Sequence, residues 1–296
     1  MTEQDQAPDG YLTSFIFPGL AVRGAIVQVA ESWSKWSILR RYPGTVHDLL
    51  GQAMAAVPLM ASTLKFEGVL SLQAQGDGAL PFMVVQSSND LEVRGTARWK
   101  GEIGGAASPA LFGKGQLGII IEPYGKGQRY EALVPLEGET IAECLAGYFN
   151  QSEQLDTRLL LCSGESGIAG MFLQRMPAED SLDSDAWPRL TALLETLTNE
   201  ELLGLSPQDI IRRLFHEETL QVFAARAVSL RCRCSHGKTS ELLLSMGEAE
   251  VRDILAEQGQ VEMECGFCGH KYIYDPAEID ALFAAEQAEP PTETRH

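Results

Sequence analysis

The chain has 296 residues, enough for about two domains at the usual ~150 residues each. Its 45% hydrophobic and 22% charged residues exclude a wholly disordered or collagen-like chain. With 23 Lys and Arg against 41 Asp and Glu, the net charge is −18, which argues against nucleic acid and against an anionic membrane surface as partners.

No segment reaches the ~18 apolar residues that a membrane span needs. The longest candidate, Gly51 to Leu64, carries Gln52 and is interrupted by Pro58. The N-terminus has Glu3, Asp5 and Asp9 where a signal peptide needs basic residues, so the cytoplasm is the expected compartment. Six cysteines are too few for a disulfide scaffold, and a reducing compartment turns attention to metal binding or redox chemistry.

In chain order, residues 1–177 read as an α+β core domain. Thr45 to Leu64 has a helical composition, with Thr45 placed as N-cap, Asp48 in the first turn and Pro58 expected to kink or end the helix. Asp90 to Trp99 alternates polar and apolar positions as a half-buried strand does. Gln116 to Ile121 and Arg129 to Leu136 read as strands joined by the turn Gly125-Lys126-Gly127. Thr140-x-x-Glu143 is a capping box, and Ile141, Leu145, Tyr148 and Phe149 follow at helical spacing. Arg158 to Cys162 and Ile168 to Gln174 read as closing strands.

Residues 178–230 read as a docked helical linker. Its first part is acidic and carries the stripe Trp187, Leu190, Leu193, Leu194 and Leu197. Ser206-Pro207-x-Asp209 then opens a helix whose apolar face is Ile210, Ile211, Leu214 and Phe215. Residues 231–285 read as a small C-terminal module: two cysteine pairs around a helical stretch, Ser240 to Gln258, broken at Gly247, then a helix capped by Asp275-Pro276-x-Glu278. Residues 286–296, with Pro290-Pro291 and no apolar pattern, read as a disordered tail.

The chemistry concentrates in Cys232-x-Cys234 and Cys265-x-x-Cys268. Thiols this close in sequence let one tight turn aim two sulfurs at one ion, and four thiolates make the closed tetrahedral shell that structural Zn²⁺ prefers. One Zn²⁺ per chain is therefore expected, with His236 and His270 outside the ligand set and Cys144 and Cys162 as small buried hydrophobes. Gly113-Lys114-Gly115 and Gly125-Lys126-Gly127 do not satisfy the phosphate-loop pattern and read as hairpin turns. Trp33-x-x-Trp36 reads as packing, and Ser163-Gly164-Glu165-Ser166-Gly167 fails the nucleophile-elbow pattern. Nothing in the chain reads as an enzyme. The rival classes are a zinc-ribbon nucleic-acid-binding module, which the acidic C-terminal region opposes, and a structural zinc protein.

Cys232-Arg233-Cys234-Ser235 with Cys265-Gly266-Phe267-Cys268-Gly269-His270-Lys271-Tyr272 resembles the C-terminal switch of the 33 kDa heat-shock chaperonin family. The resemblance extends through Leu64-Lys65-Phe66-Glu67-Gly68, Val134-Pro135-Leu136, Tyr148-Phe149-Asn150-Gln151-Ser152-Glu153-Gln154 and Gly170-Met171-Phe172-Leu173-Gln174. It implies an ATP-independent holdase of bacteria that binds unfolded or oxidatively damaged client proteins. In that family the reduced, zinc-bound form is inactive. Oxidation to the disulfides Cys232–Cys234 and Cys265–Cys268 expels the metal, and the active form is a homodimer. The linker side chains Leu190, Leu194, Leu197, Ile211 and Phe215 are then the expected client-binding residues, packed on the core domain while zinc is bound.

Overall fold

The computed structural model describes residues 10–105, 107–177 and 183–288, with the backbone alone for 37–40 and 286–288. It divides into two compact units, one ending at Arg231 and one beginning at Cys232.

The first unit is built on a single sheet of eleven strands: β1 (Gly10–Phe17), β2 (Val22–Val29), β3 (Gly68–Gln75), β4 (Phe82–Ser88), β5 (Glu92–Arg98), β6 (Gln116–Pro123), β7 (Tyr130–Pro135), β8 (Thr157–Gly164), β9 (Gly167–Arg175), β10 (Gln221–Val222) and β11 (Arg226–Leu230). The strand order is β7-β6-β3-β4-β5-β11-β1-β2-β9-β8, with β10 also pairing with β1. Each half is a run of antiparallel neighbours, and β11 joins the halves: it is antiparallel to β1 and parallel to β5.

Against this sheet lies α2 (Gly44–Thr63), packed on β2, β4, β5, β8 and β9. Thirteen of its residues between Val46 and Ala61 are buried, as expected for a helix that is apolar on nearly every side. Pro58 does not end it early; the helix runs five residues further. An interior proline costs about 3 kcal/mol, and the burial of Val57, Leu59 and Met60 around it outweighs that. Thr45 is not the N-cap either. Pro43 holds that position without a side-chain bond, and Thr45 Oγ1 instead donates to the Gly105 carbonyl at 3.0 Å.

The helix α1 (Glu31–Arg40) has no sequence signal among those above; Trp33 and Trp36 are nevertheless buried, and Trp33 Nε1 donates to the Gly164 carbonyl at 3.2 Å. In α3 (Ile141–Ser152), Thr140 Oγ1 accepts from the Glu143 amide as expected, but the Glu143 carboxylate accepts from the Glu139 amide rather than from Thr140. Gly125 to Gly127 lies in the β6–β7 hairpin. Gly113-Lys114-Gly115 does not form a hairpin turn: it leads from the 3-10 turn Pro109–Phe112 into β6.

Residues 178–182 of the expected linker lie outside the described residues. The rest begins as three helices, α4 (Ala186–Leu194), α5 (Asn199–Gly204) and α6 (Pro207–Phe215). It does not stay helical to residue 230: β10 and β11 are strands of the first unit's sheet. Here the sheet's need for pairing partners on β1 and β5 overrides the local reading.

The second unit contains α7 (His236–Met246), α8 (Glu248–Gln258), the hairpin β12 (Val261–Glu264) and β13 (Lys271–Tyr274), and α9 (Pro276–Ala288). Gly247 breaks α7 from α8 at φ +93°, a conformation suited to glycine. The core of this unit is small: Leu243, Val251, Val261, Tyr274, Ile279 and Phe283 are its buried residues. The final helix extends three residues into the expected tail, and residues 289–296 lie outside the described residues.

Candidate metal centre

Each cysteine pair is aimed by a turn. Cys232 and Cys234 follow the end of β11, and Ser235, whose hydroxyl accepts from the Lys238 amide, opens α7 immediately after them. Cys265 and Cys268 sit in the turn between β12 and β13. There the Gly269 amide donates to the Cys265 carbonyl, and the Cys265 amide to the His270 carbonyl, both at 2.9 Å. Gly269 has φ +74°, which lets the chain reverse under the sulfurs.

The two turns bring the four sulfurs together. All lie within 4.8 Å of one another, with Cys232–Cys265 and Cys234–Cys268 each at 3.5 Å, and all four residues are half-buried. A disulfide requires about 2.05 Å between sulfurs, so these are thiols. A tetrahedral ion with metal–sulfur bonds of ~2.3 Å places its sulfurs about 3.8 Å apart, a spacing that lies between the 3.5 Å contacts and the 4.8 Å span of the cluster. Neither histidine joins this group: the His236 ring packs at a tilt against Tyr274, centroids 4.4 Å apart, and His270 meets Tyr272 edge-to-face at 4.6 Å.

The surrounding electrostatics already favour one thiolate. Burial raises the Cys265 thiol, but backbone N–H groups of Cys268 and Phe267 and the neighbouring thiols outweigh it and bring it down to about 7. Cys232 and Cys268 are pushed upward, chiefly by burial. A divalent cation would reverse that penalty by holding the sulfurs deprotonated.

Two supporting groups escaped the sequence reading. The Tyr272 hydroxyl donates to Cys234 Sγ at 3.2 Å, and Lys238 Nζ donates to the Arg233 carbonyl at 2.8 Å, tying α7 to the first cysteine turn. Tyr272 falls four residues after the second pair, and that aromatic was the available signal.

The expected client-binding side chains lie in the first unit. Leu190, Leu194, Leu197, Ile211 and Phe215 are all at most 5% exposed. They share one core cluster with Phe15, Phe17, Val22, Ile26, Met171 and Leu173 of β1, β2 and β9. Phe215 meets Phe17 edge-to-face at 5.1 Å. Polar ties fasten the same helices: Gln28 Nε2 donates to the carbonyls of Leu202 and Leu205 at 2.7 and 2.8 Å, and Arg213 pairs with Glu201. Cys144 and Cys162 are buried within the first unit, Cys162 as a member of that core cluster, each with its thiol pushed up, chiefly by burial.

A mixed α+β unit followed by a small module with four clustered cysteines that could hold a metal ion defines a class whose expected relatives are chaperones, and comparison with known proteins finds such relatives. The family model described as Hsp33 protein matches residues 10–275. A 33 kDa chaperonin of Chromobacterium violaceum is 42% identical over 287 residues, covering 96% of this chain and 97% of its own. One of Pseudomonas aeruginosa is 40% identical over 289 residues, covering 95% and 97%. The crystal structure of the 33 kDa chaperonin from Thermotoga maritima superposes with a TM-score of 0.81 at 22% identity, over 94% of this chain and 99% of that one, a likeness of fold. The chain belongs to the Hsp33 family. Membership supports a chaperone function, and the relatives are named chaperonins rather than enzymes. Among the described residues no helix is long and apolar enough to cross a membrane.

Proposed function

We propose that this chain is a redox-regulated holdase chaperone of the bacterial cytoplasm, inactive while reduced and zinc-bound. The observation that carries the proposal is the four-sulfur cluster in a unit whose buried core, among the described residues, is six side chains. Cys232, Cys234, Cys265 and Cys268 would hold the Zn²⁺, which supplies a cross-link between the two turns and keeps the sulfurs as thiolates. Structural zinc contributes on the order of 10–16 kcal/mol in small finger peptides. A module this small has too little core to replace that support.

The same thiolates are the oxidisable form of cysteine. A thiolate that attacks a peroxide becomes a sulfenic acid, and a second thiolate displaces hydroxide from it to form the disulfide. Each pair gives up two electrons to one peroxide. Disulfides Cys232–Cys234 and Cys265–Cys268 leave no thiolate donors for the ion, and the second unit then loses its main support.

In this reading the helices α4 to α6 are the capture element. They carry a continuous apolar face, Leu190, Leu194, Leu197, Ile211 and Phe215, which offers unfolding clients a surface once it leaves the sheet. The family resemblance adds that the active form is a homodimer.

The test is suppression of aggregation of a thermally unfolded client by the reduced and the peroxide-treated full chain, with released zinc followed by a chromogenic chelator. Activity appearing together with one equivalent of released zinc is expected. Zinc retained under peroxide would point instead to a structural zinc protein.

A further inference from the structure

The motif Tyr148-Phe149-Asn150-Gln151-Ser152-Glu153-Gln154 has no part in the metal centre or in the helices α4 to α6. In the fold it forms one wall of a cavity of about 320 Å³ in the first unit. Met60 and Leu64 at the end of α2, Ile119 and Ile121 of β6 and Phe149 of α3 make an apolar lining. The volume is at the lower end of what accommodates a small organic molecule.

One cation, Arg23 on β2, reaches this cavity. Its guanidinium is held by neutral acceptors only. Nε and Nη2 both donate to Gln174 Oε1, and Nη1 donates to the Thr63 carbonyl at 3.3 Å. Gln174 is fully buried, and its own Nε2 donates to Thr157 Oγ1 at 2.9 Å, so its oxygen is fixed toward Arg23. The guanidinium also stands 6.0 Å from the centre of the Phe172 ring.

Three of the five guanidinium N–H groups are therefore used, and no carboxylate oxygen lies within 4.0 Å among the described residues. Burial pushes the pKa of this arginine down, the sign of a cation lacking a counter-charge. The carbonyl end of α2 supplies only the partial charge of a helix terminus. Glu153 does not neutralise Arg23. It is exposed at the rim, and its Oε1 accepts from the hydroxyls of Tyr148 at 2.7 Å and Tyr130 at 3.3 Å.

We infer that this cavity binds a small aliphatic monocarboxylate, its carboxylate on the guanidinium of Arg23 and its chain against Met60, Ile119, Ile121 and Phe149. A carboxylate is the planar anion that two parallel guanidinium N–H groups recognise. The apolar lining selects a hydrocarbon body, and the carboxylate at the rim discriminates against a second negative charge. The site lies wholly in the first unit and does not rest on the redox reading.

The probe is octanoate, titrated calorimetrically into the reduced full-length protein. One saturable site is expected, with 1-octanol, which has the same tail without the charge, at least tenfold weaker. Arg23→Met should lower octanoate affinity at least tenfold and erase the difference between the two ligands. Leu64→Trp, at a half-exposed position on the cavity wall, should fill the space and abolish octanoate binding while leaving the circular dichroism spectrum unchanged. That variant keeps the test open if Arg23→Met does not fold. Equal binding of octanol and octanoate, or no octanoate binding at all, overturns the inference. So does binding of N-acetyl-leucine without octanoate, which would assign the site to peptide C-termini instead.

Discussion

Replacing Leu190 and Ile211 by alanine should release the helices α4 to α6 without touching a thiol. Both side chains are buried in the cluster shared with β1, β2 and β9, at 0% and 5% exposure. A buried Leu or Ile cut to Ala costs about 2–5 kcal/mol. Two in one cluster share neighbours and do not add independently, so a loss of about 4–6 kcal/mol is expected. At 1.4 kcal/mol per factor of ten, that raises the population with the helices undocked by about a thousandfold or more. The loss is comparable with the lower end of whole-domain stability, about 5–15 kcal/mol, so a control of equal severity is needed. Leu49→Ala with Leu50→Ala on α2 provides it, both being fully buried but remote in sequence from α4 to α6. Light scattering of a heat-unfolded client under reducing conditions should show suppression by the double variant and not by the control, with zinc still bound. Hydrogen exchange should show faster exchange across residues 186–215 in the double variant alone. Open helices with no client binding, or equal activity of the control, would refute release of α4 to α6 as the activating step.

The metal assignment predicts one equivalent of zinc in the reduced Cys144→Ser, Cys162→Ser double variant and none in a Cys232→Ser, Cys265→Ser double variant; metal analysis decides it. Peptide mapping of the oxidised, zinc-free protein should find the bridges 232–234 and 265–268. In the folded cluster, sulfur contacts at 3.5 Å also run between the pairs, 232 with 265 and 234 with 268. Predominance of those cross-pairs would mean that oxidation traps the cluster before the turns separate, against the proposed opening, because local closure is favoured once they are apart. Gln28→Ala removes two hydrogen bonds to the carbonyls of Leu202 and Leu205, a loss of roughly 1–3 kcal/mol at this partly buried site. It should therefore speed hydrogen exchange in α5 and lower the peroxide dose needed for half-activation.

The sequence by itself determined the features that local chemistry decides. Two cysteine pairs with tight internal spacing can face one ion whatever surrounds them, and their four sulfurs do meet. The caps at Thr140 and Ser206 and the break at Gly247 depend on hydrogen bonds and φ values reached within a few residues. The stripe ending in Leu197 showed which helix face is buried, because 3.6-residue periodicity is a property of the helix itself. Only the tertiary structure decided what that face packs on, and it is the strands β1, β2 and β9.

The failures share one cause. Pro58 continues α2 because burial on all sides outweighs the cost of a missing N–H, and that burial comes from strands far away in sequence. Thr45 gives its hydroxyl to Gly105, sixty residues on, rather than to its own helix. Residues 226–230 become a strand because β1 and β5 present unpaired edges on either side of them. A segment's own composition cannot carry that information; the partner is supplied by chain folded more than a hundred residues earlier. The lone cation at Arg23 is of the same kind. Its acceptors come from residues 63 and 174, and its cavity from five separate elements and the segment after α3, so only the folded chain reveals that it lacks a counter-charge.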